Sequence, residues 1–256
     1  MYHPDLYDLV TPASFRGDAE WYRAKAREYG GPVLELGAGT GRITLQIAQN
    51  GVVVHALDAD GAMRAVLRRK LAALPAHERD RVVVINGDMR TFTSTERFPL
   101  VIAPFRAFLH NLTEQDQLAC LNQIREHLAP RGRFAFNVFH PSLEIMAHHV
   151  GAMAGVWRWV GTFPRADGGF VVRSDANRYD TTRQLVHSQH RYDEYGPDGT
   201  LSRSSLHDLR LAYLYPPDLR RLLTQAGFRS IQIYGGFDGR PFENDTDELV
   251  IEASVE

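Results

Sequence analysis

The stretch Val33-Leu34-Glu35-Leu36-Gly37-Ala38-Gly39-Thr40-Gly41-Arg42 constrains the fold more than any other part of the chain. An apolar run leads into a loop with three glycines in five residues, and a helix-forming segment follows. Glycine has no Cβ, so such a loop turns sharply and lets a ligand come close to main-chain N–H groups. The spacing is GxGxG, which differs from the GxGxxG of the dinucleotide fingerprint. A second apolar run, Val52-Val53-Val54-His55-Ala56-Leu57, ends at Asp58. That sets a carboxylate about 20 residues beyond the loop, where a doubly wound fold offers one to a ribose diol. Strand, loop, helix, second strand and acid in this order carry information that a bare glycine triplet lacks.

Strands and helices alternate through the first 140 or so residues. The pattern predicts strands at Pro32–Leu36, Val52–Leu57, Val82–Asn86, Leu100–Ala103 and Phe134–Val138. Helices are expected over Asp18–Tyr29, with Asp18 as N-cap and Gly30 as the stop, and then over Arg42–Gln49, Ala62–Leu74 and Glu114–Leu128. Thr113-Glu114-Gln115-Asp116 has the spacing of a capping box with Asp in place of Glu, and Ala129-Pro130-Arg131-Gly132 ends the last helix. Strands that are apolar throughout and separated by helices imply a parallel sheet covered on both faces, with a ligand beyond the carboxyl ends of its strands.

The texture changes after His140-Pro141. Glu144–Trp159 reads as helical, and Phe170–Leu214 alternates as antiparallel strands around a Gly196-Pro197-Asp198-Gly199 turn. Pro216-Pro217 then opens a helix through Asp218–Gln225, and Ile231–Tyr234 and Glu248–Ala253 close the chain as strands.

Composition sets outer limits. Twenty-nine Lys+Arg against 31 Asp+Glu, a net charge of -2, leave no electrostatic footprint for nucleic acid. The lone Cys120 excludes an internal disulfide and reads as a buried structural thiol in a reducing compartment. No apolar run is long enough to span a bilayer, and Met1-Tyr2-His3-Pro4-Asp5 has no basic-then-apolar leader, so a cytoplasmic location is the expectation. His148-His149 and His187 with His190 lack zinc-motif spacing, and no metal is expected. Arg64, Arg68, Arg69 and Lys70 read as a solvated helix face, and Tyr192, Tyr195, Tyr213 and Tyr215 as packing residues of the strands that carry them.

Glu35 before the glycine triplet, together with Asp58, resembles the S-adenosylmethionine-binding signature of class I methyltransferases. Asn86-Gly87-Asp88-Met89-Arg90 looks like the adenine-holding segment of the members that modify free amino sugars and related small molecules, and so does Leu6-Tyr7-Asp8-Leu9 with a following helix bearing Trp21 and Tyr22. The resemblance implies an α/β fold: a doubly wound, seven-stranded, mostly parallel sheet with an antiparallel β insertion after the fifth strand. It divides the chain into a cofactor-covering segment at 1–30, a core at 31–140, an insertion at 141–214 for the substrate pocket or dimerisation, and a closing helix and strand pair at 215–256. Tyr7, Trp21, Glu35, Gly37, Ala38, Gly39, Gly41, Asp58, Ala59, Met63, Asp88, Met89, Pro104 and Phe105 would surround S-adenosylmethionine, with S-adenosylhomocysteine as product. Arg106, His110, His140 and Tyr192 would face a small-molecule acceptor. Neither nucleic acid nor membrane is an expected partner, and a homodimer through the β insertion is one arrangement that the resemblance implies. Ala103-Pro104-Phe105-Arg106 departs from the small polar residues frequent there.

A methyl sulfonium is already activated, so such a protein has to align sulfur, methyl carbon and nucleophile and keep water out. His110 follows the fourth strand, at the mouth where the methyl group should point. It reads either as base or orienting group for the acceptor, or as a loop residue satisfying carbonyls. His140 after the fifth strand reads as a pocket-lining or a loop residue. The expectation is transfer to nitrogen. The alternatives are O-methylation of a hydroxylated metabolite, a non-catalytic cofactor-binding protein and, more remotely, a nicotinamide-dependent oxidoreductase.

Overall fold

A computed structural model describes residues 2–12, 14–245 and 247–256. In chain order the elements are α1 (Tyr7–Val10), α2 (Asp18–Tyr29), β1 (Val33–Leu36), α3 (Thr44–Gln49), β2 (Val54–Asp58), α4 (Gly61–Ala72), α5 (Ala76–Arg79), β3 (Val82–Asn86) and β4 (Phe98–Ala103). A 3-10 helix (Ala107–His110), α6 (Glu114–His127), β5 (Leu128–Val138), α7 (Leu143–Ala147) and a second 3-10 helix (Gly151–Met153) follow. The chain ends through β6 (Trp157–Pro164), β7 (Phe170–Asp180), β8 (Leu185–Tyr195), β9 (Leu201–Ala212), α8 (Pro216–Gln225), β10 (Ser230–Tyr234) and β11 (Leu249–Ser254). They form two compact units: residues 14–140 with 214–256, and residues 2–12 with 141–213.

The larger unit is built on a seven-stranded sheet of order β10-β11-β5-β4-β1-β2-β3, parallel except where β11 runs against β5 and β10. β1, β11 and most of β4 are buried along their length, as strands covered on both faces must be. On one face Tyr22 and Ala26 of α2 and Ile43 and Ile47 near α3 pack over Val33, Val54, Leu100 and Ile102. Thr113 caps α6 by accepting the Asp116 N–H at 3.1 Å, as the sequence predicts. Asp18 does not cap α2: Gly17 precedes the helix, and the Asp18 carboxylate accepts the Phe15 N–H and pairs with Arg42. Buried Cys120 lies in α6, where burial pushes its thiol up to about 12.

The smaller unit is an antiparallel sheet of order β6-β7-β8-β9. The expected helix over Glu144–Trp159 is short: α7 stops at Ala147, and Trp157 and Trp159 sit on edge strand β6. Aromatic and β-branched residues at Trp157, Trp159 and Val160 fit a strand surface better than a helix. Trp157 and Trp159 oppose Ala176 and Ser174, on the face that continues through Gln189 and Arg191 to Asp208 and Leu206. On the opposite face Leu6 and Val10 pack against Val171 and Tyr192.

Candidate functional site

The glycine loop follows β1, and all three of its glycines are left-handed, with φ of 70, 57 and 83 at Gly37, Gly39 and Gly41. The loop's own hydrogen bonding uses most of its donors. Gly37 and Ala38 donate to the Leu57 carbonyl at 2.8 and 3.1 Å, Gly41 donates to Ala38 at 2.9 Å, and Gly39 donates to the Asp58 carboxylate at 2.7 Å. Space distinguishes the three positions. A Cβ on Gly41 would meet Leu67 Cδ1 at 2.3 Å, and one on Gly37 would meet Ala107 Cβ at 2.8 Å, whereas over Gly39 nothing stands closer than 4.0 Å. The middle of the loop is therefore an open cradle with tightly packed ends, which suits a ligand laid across it.

Asp58 closes β2. Its second oxygen accepts the Asp60 N–H at 2.7 Å, and burial raises its pKa against those two bonds. Asp60 then caps α4 by accepting from Ala62 and Met63, so exposed Ala59 and buried Met63 flank this turn. Arg64 is not on a solvated face: it is buried, with Nη1 donating to the Asp58 carbonyl at 2.6 Å. Half-buried Lys70 donates to the Thr40 carbonyl at 2.9 Å, which leaves Arg68 and Arg69 as the exposed cations of that helix. Glu35, 2% exposed, takes the Thr44 hydroxyl at 2.5 Å, and burial pushes its carboxyl up to about 8.

Met89 lies beside the loop, its Cε 3.8 Å from a Cβ on Gly37, and its sulfur accepts from Asn111 Nδ2 at 3.3 Å. Asp88 is engaged by Arg90, whose Nη2 donates to it at 2.6 Å and whose Nη1 reaches Asp116 at 2.7 Å; this holds the Asp88 carboxyl below its usual range. After β4, buried Pro104 leads into Phe105, whose ring lies under the Arg42 guanidinium at 4.8 Å and edge-on to Phe15 at 5.4 Å. The Arg106 guanidinium grips Glu248 at 2.9 and 2.7 Å, so the fork expected at the acceptor is turned to a buried carboxylate.

His110 ends the 3-10 helix, and desolvation by the surrounding protein pushes its imidazole down to about 4. His140, 7% exposed, stands against Tyr215 and Phe242 with no hydrogen-bond partner for Nε2, and burial lowers its pKa. Trp21 packs on Phe237 and Tyr22. Tyr7 and Tyr192 belong to the smaller unit, both buried, Tyr7 against the Tyr2 ring and Tyr192 against His3 and His207. Tyr195 stacks on Phe170 and Tyr213 meets Tyr179. Among the described residues no group of three His, Cys, Asp or Glu could hold a metal ion, and no helix is long and apolar enough to cross a membrane.

The larger unit thus brings together Glu35, the glycine loop, Asp58, Met63, Met89, Phe105 and the helix ending at His110. Arg42, Thr44, Asn137 and Glu248 join these residues with little local sequence signal. The available signals were a polar Asn inside the apolar run Phe134-Ala135-Phe136-Asn137-Val138 and an arginine directly after the last glycine.

Residues 33–132 match the profile of a methyltransferase domain. The chain is similar over its whole fold to the CcbJ methyltransferase of Streptomyces caelestis, with a TM-score of 0.79 and 26% identity over 98% of this chain and 94% of that one. Residues 33–132 thus carry a methyltransferase domain, and the whole chain has a methyltransferase fold. The fold is shared with S-adenosylmethionine-bound CalS10 of Micromonospora echinaspora, an amino pentose methyltransferase, at a TM-score of 0.69 and 21% identity over 94% and 92% of the two chains. In sequence it is 30% identical over 130 residues to the cypemycin N-terminal methyltransferase of a Streptomyces species, covering 50% of this chain and 51% of that one. The chain spans about half the length of the curated relatives it matches. The cofactor of this methyltransferase family is S-adenosylmethionine, and the open cradle over Gly39 beside Asp58 fits it.

Proposed function

We propose that this chain transfers the methyl group of S-adenosylmethionine to a nitrogen of a small-molecule acceptor by in-line displacement. The observation that carries the reading is the seating of the His110-bearing helix directly on the glycine loop, with Ala107 2.8 Å from a Cβ on Gly37. Bound S-adenosylmethionine supplies an activated methyl group, so the protein's part is alignment and exclusion of water. Asp58 would accept from the ribose hydroxyls, Met63 and Met89 would pack near the adenine with Ala59 and Asp88 at its edge, and Glu35, Gly37, Ala38, Gly39 and Gly41 would shape the methionine end. Pro104 and Phe105 would wall the cofactor, with Trp21 beside them. His110 and His140 would bound the acceptor.

Nitrogen is favoured over oxygen because an imidazole pushed down to about 4 is a weak base near neutrality. Such a group orients an amine that arrives deprotonated better than it activates a hydroxyl. The name of the cypemycin N-terminal methyltransferase agrees with a nitrogen acceptor. The exposed sheet face with Trp157, Trp159 and Leu206 is where a second copy would dock, and buried Cys120 is compatible with the reducing cytoplasm, where we place the reaction.

The test is to incubate the protein with S-adenosylmethionine and a panel of amines, hydroxylated aromatics and sugars, and to follow S-adenosylhomocysteine release. Turnover confined to amines is the expected result. Turnover confined to hydroxyl acceptors would establish the O-methylation alternative, and binding without any turnover would mark a non-catalytic cofactor-binding protein.

A further inference from the structure

The turn between β4 and the first 3-10 helix is held in a sparsely populated backbone state by buried polar groups from other elements. Phe105 and Arg106 are consecutive non-glycine residues with φ of 51 and 68. L-residues visit that region rarely, and two in succession persist only where the surroundings over-determine them. Asn137 of β5, with no exposed surface, accepts the Phe105 N–H at 2.8 Å and the Tyr22 hydroxyl at 2.9 Å, and it donates Nδ2 to Glu248 at 2.7 Å. Glu248, 2% exposed and just before β11, takes the Arg106 guanidinium on both oxygens. The first left-handed residue is thus fixed through its main chain and the second through its side chain, which also lies over the Phe15 and Phe139 rings at 5.4 and 4.8 Å.

The far side of the same segment is seated as firmly. Ala107 abuts Gly37, and Asn111 bonds both the Met89 sulfur at 3.3 Å and the Phe108 carbonyl at 2.9 Å. Fold stability alone asks for none of this. A glycine would relieve the turn, and an apolar side chain would fill the β5 position without the desolvation of a buried amide and carboxylate. Fully satisfied buried networks of this kind specify one arrangement.

We infer that Asn137 and Glu248 are positioning residues for methyl transfer: they hold the strained Phe105–Arg106 turn and, through it, the segment ending at His110. The inference rests on the methyl-transfer reading above. Asn137→Asp is the discriminating change. Its carboxylate still accepts from Phe105 and Tyr22 but faces the Glu248 carboxylate with no donor between them. Protonation of that pair restores a donor, so the variant's defect should shrink as pH falls. The other ionisable groups near the pair are Arg106, Tyr22 and His140, with Asp18, Arg42 and Glu35 around the same Tyr22 and Asp245 and Asp247 around His140.

With the panel acceptor of highest turnover, Asn137→Asp should lower kcat by about 10- to 100-fold at pH 8 while S-adenosylhomocysteine affinity stays within about threefold. Relative to wild type, the loss should be smaller at pH 6. Amide hydrogen exchange at Phe105 should be slow in wild type and faster in the variant. Glu248→Gln, which keeps a neutral acceptor for Arg106, should show a smaller loss. Unchanged kcat with accelerated exchange at Phe105 would overturn the inference, and so would a parallel fall in kcat, affinity and melting temperature with no pH rescue. If wild type turns over no acceptor, the methyl-transfer reading fails, and a Phe105 amide that exchanges freely in wild type would then also refute the clamp.

Discussion

Gly39 donates its main-chain N–H to the Asp58 carboxylate at 2.7 Å, so the residue that would bind the ribose also holds the glycine loop to the end of β2. The same carboxylate accepts from Asp60 at 2.7 Å. Asp58→Ala leaves both N–H groups without that acceptor, at about 1–3 kcal/mol for each that stays buried. Affinity for S-adenosylhomocysteine should fall about tenfold or more, with a lower melting temperature. Asp58→Asn, which retains one acceptor oxygen, should lose less of both. Calorimetry showing unchanged affinity in the alanine variant would remove Asp58 from the site.

The glycines of the loop should separate by substitution. Gly41→Ala drives a Cβ to 2.3 Å from Leu67 Cδ1 at a φ of 83, so it should destabilise the fold by about 1–3 kcal/mol. Gly39→Ala meets nothing closer than 4.0 Å and should cost about 1–2 kcal/mol for its left-handed backbone, yet its methyl group enters the cradle. Weaker cofactor binding in Gly39→Ala, with the larger melting shift in Gly41→Ala, is the expected pattern. The reverse pattern in melting and titration would place the ligand elsewhere.

Glu35 gives the unliganded protein a pH dependence. Burial pushes its folded pKa up to about 8, above its ordinary value, so the folded state holds a proton that the unfolded state releases. Its contribution to stability is present at low pH and is lost as pH rises towards 8 and beyond. Glu35→Gln cannot ionise and should melt higher relative to wild type at pH 9 than at pH 6. A difference between the two proteins that does not change across that range would contradict the assignment.

His110 runs the other way. With its folded pKa pushed down to about 4, the neutral ring is favoured in the folded state, and stability is lost as pH falls from about 6.5 towards 4. Turnover should accordingly show no acid limb near 6.5 that depends on His110. His110→Ala should lower kcat by about 100-fold with cofactor affinity little changed, and His110→Gln should retain most activity if the ring orients an amine. Loss in both variants would favour a base and a hydroxyl acceptor, and full activity in the alanine variant would leave His110 a structural residue.

Much of the larger unit was legible because its signals are local. α2 at Asp18–Tyr29 and β3 at Val82–Asn86 follow from periodicity and punctuation alone, and the order of strand, glycine loop and acid marks the ligand end of the sheet. Trp157 and Trp159 read as helical because a short apolar run suits a helix or a strand until its edge partner is known. Arg64 reads as a surface cation in sequence, and only the fold of its helix back onto the Asp58 carbonyl buries it. The pairing of Asn137 with Glu248 spans 111 residues and leaves no local trace beyond a polar residue in an apolar strand.

The central claim is that the glycine loop and Asp58 hold S-adenosylmethionine. Calorimetric titration of the wild-type protein with S-adenosylhomocysteine and, separately, with NAD tests it most directly, with thermal melting as a parallel readout. Saturable one-site binding of S-adenosylhomocysteine with a raised melting temperature, and neither effect with NAD at the same concentration, is the predicted result. Binding and stabilisation by NAD with none by S-adenosylhomocysteine would contradict it.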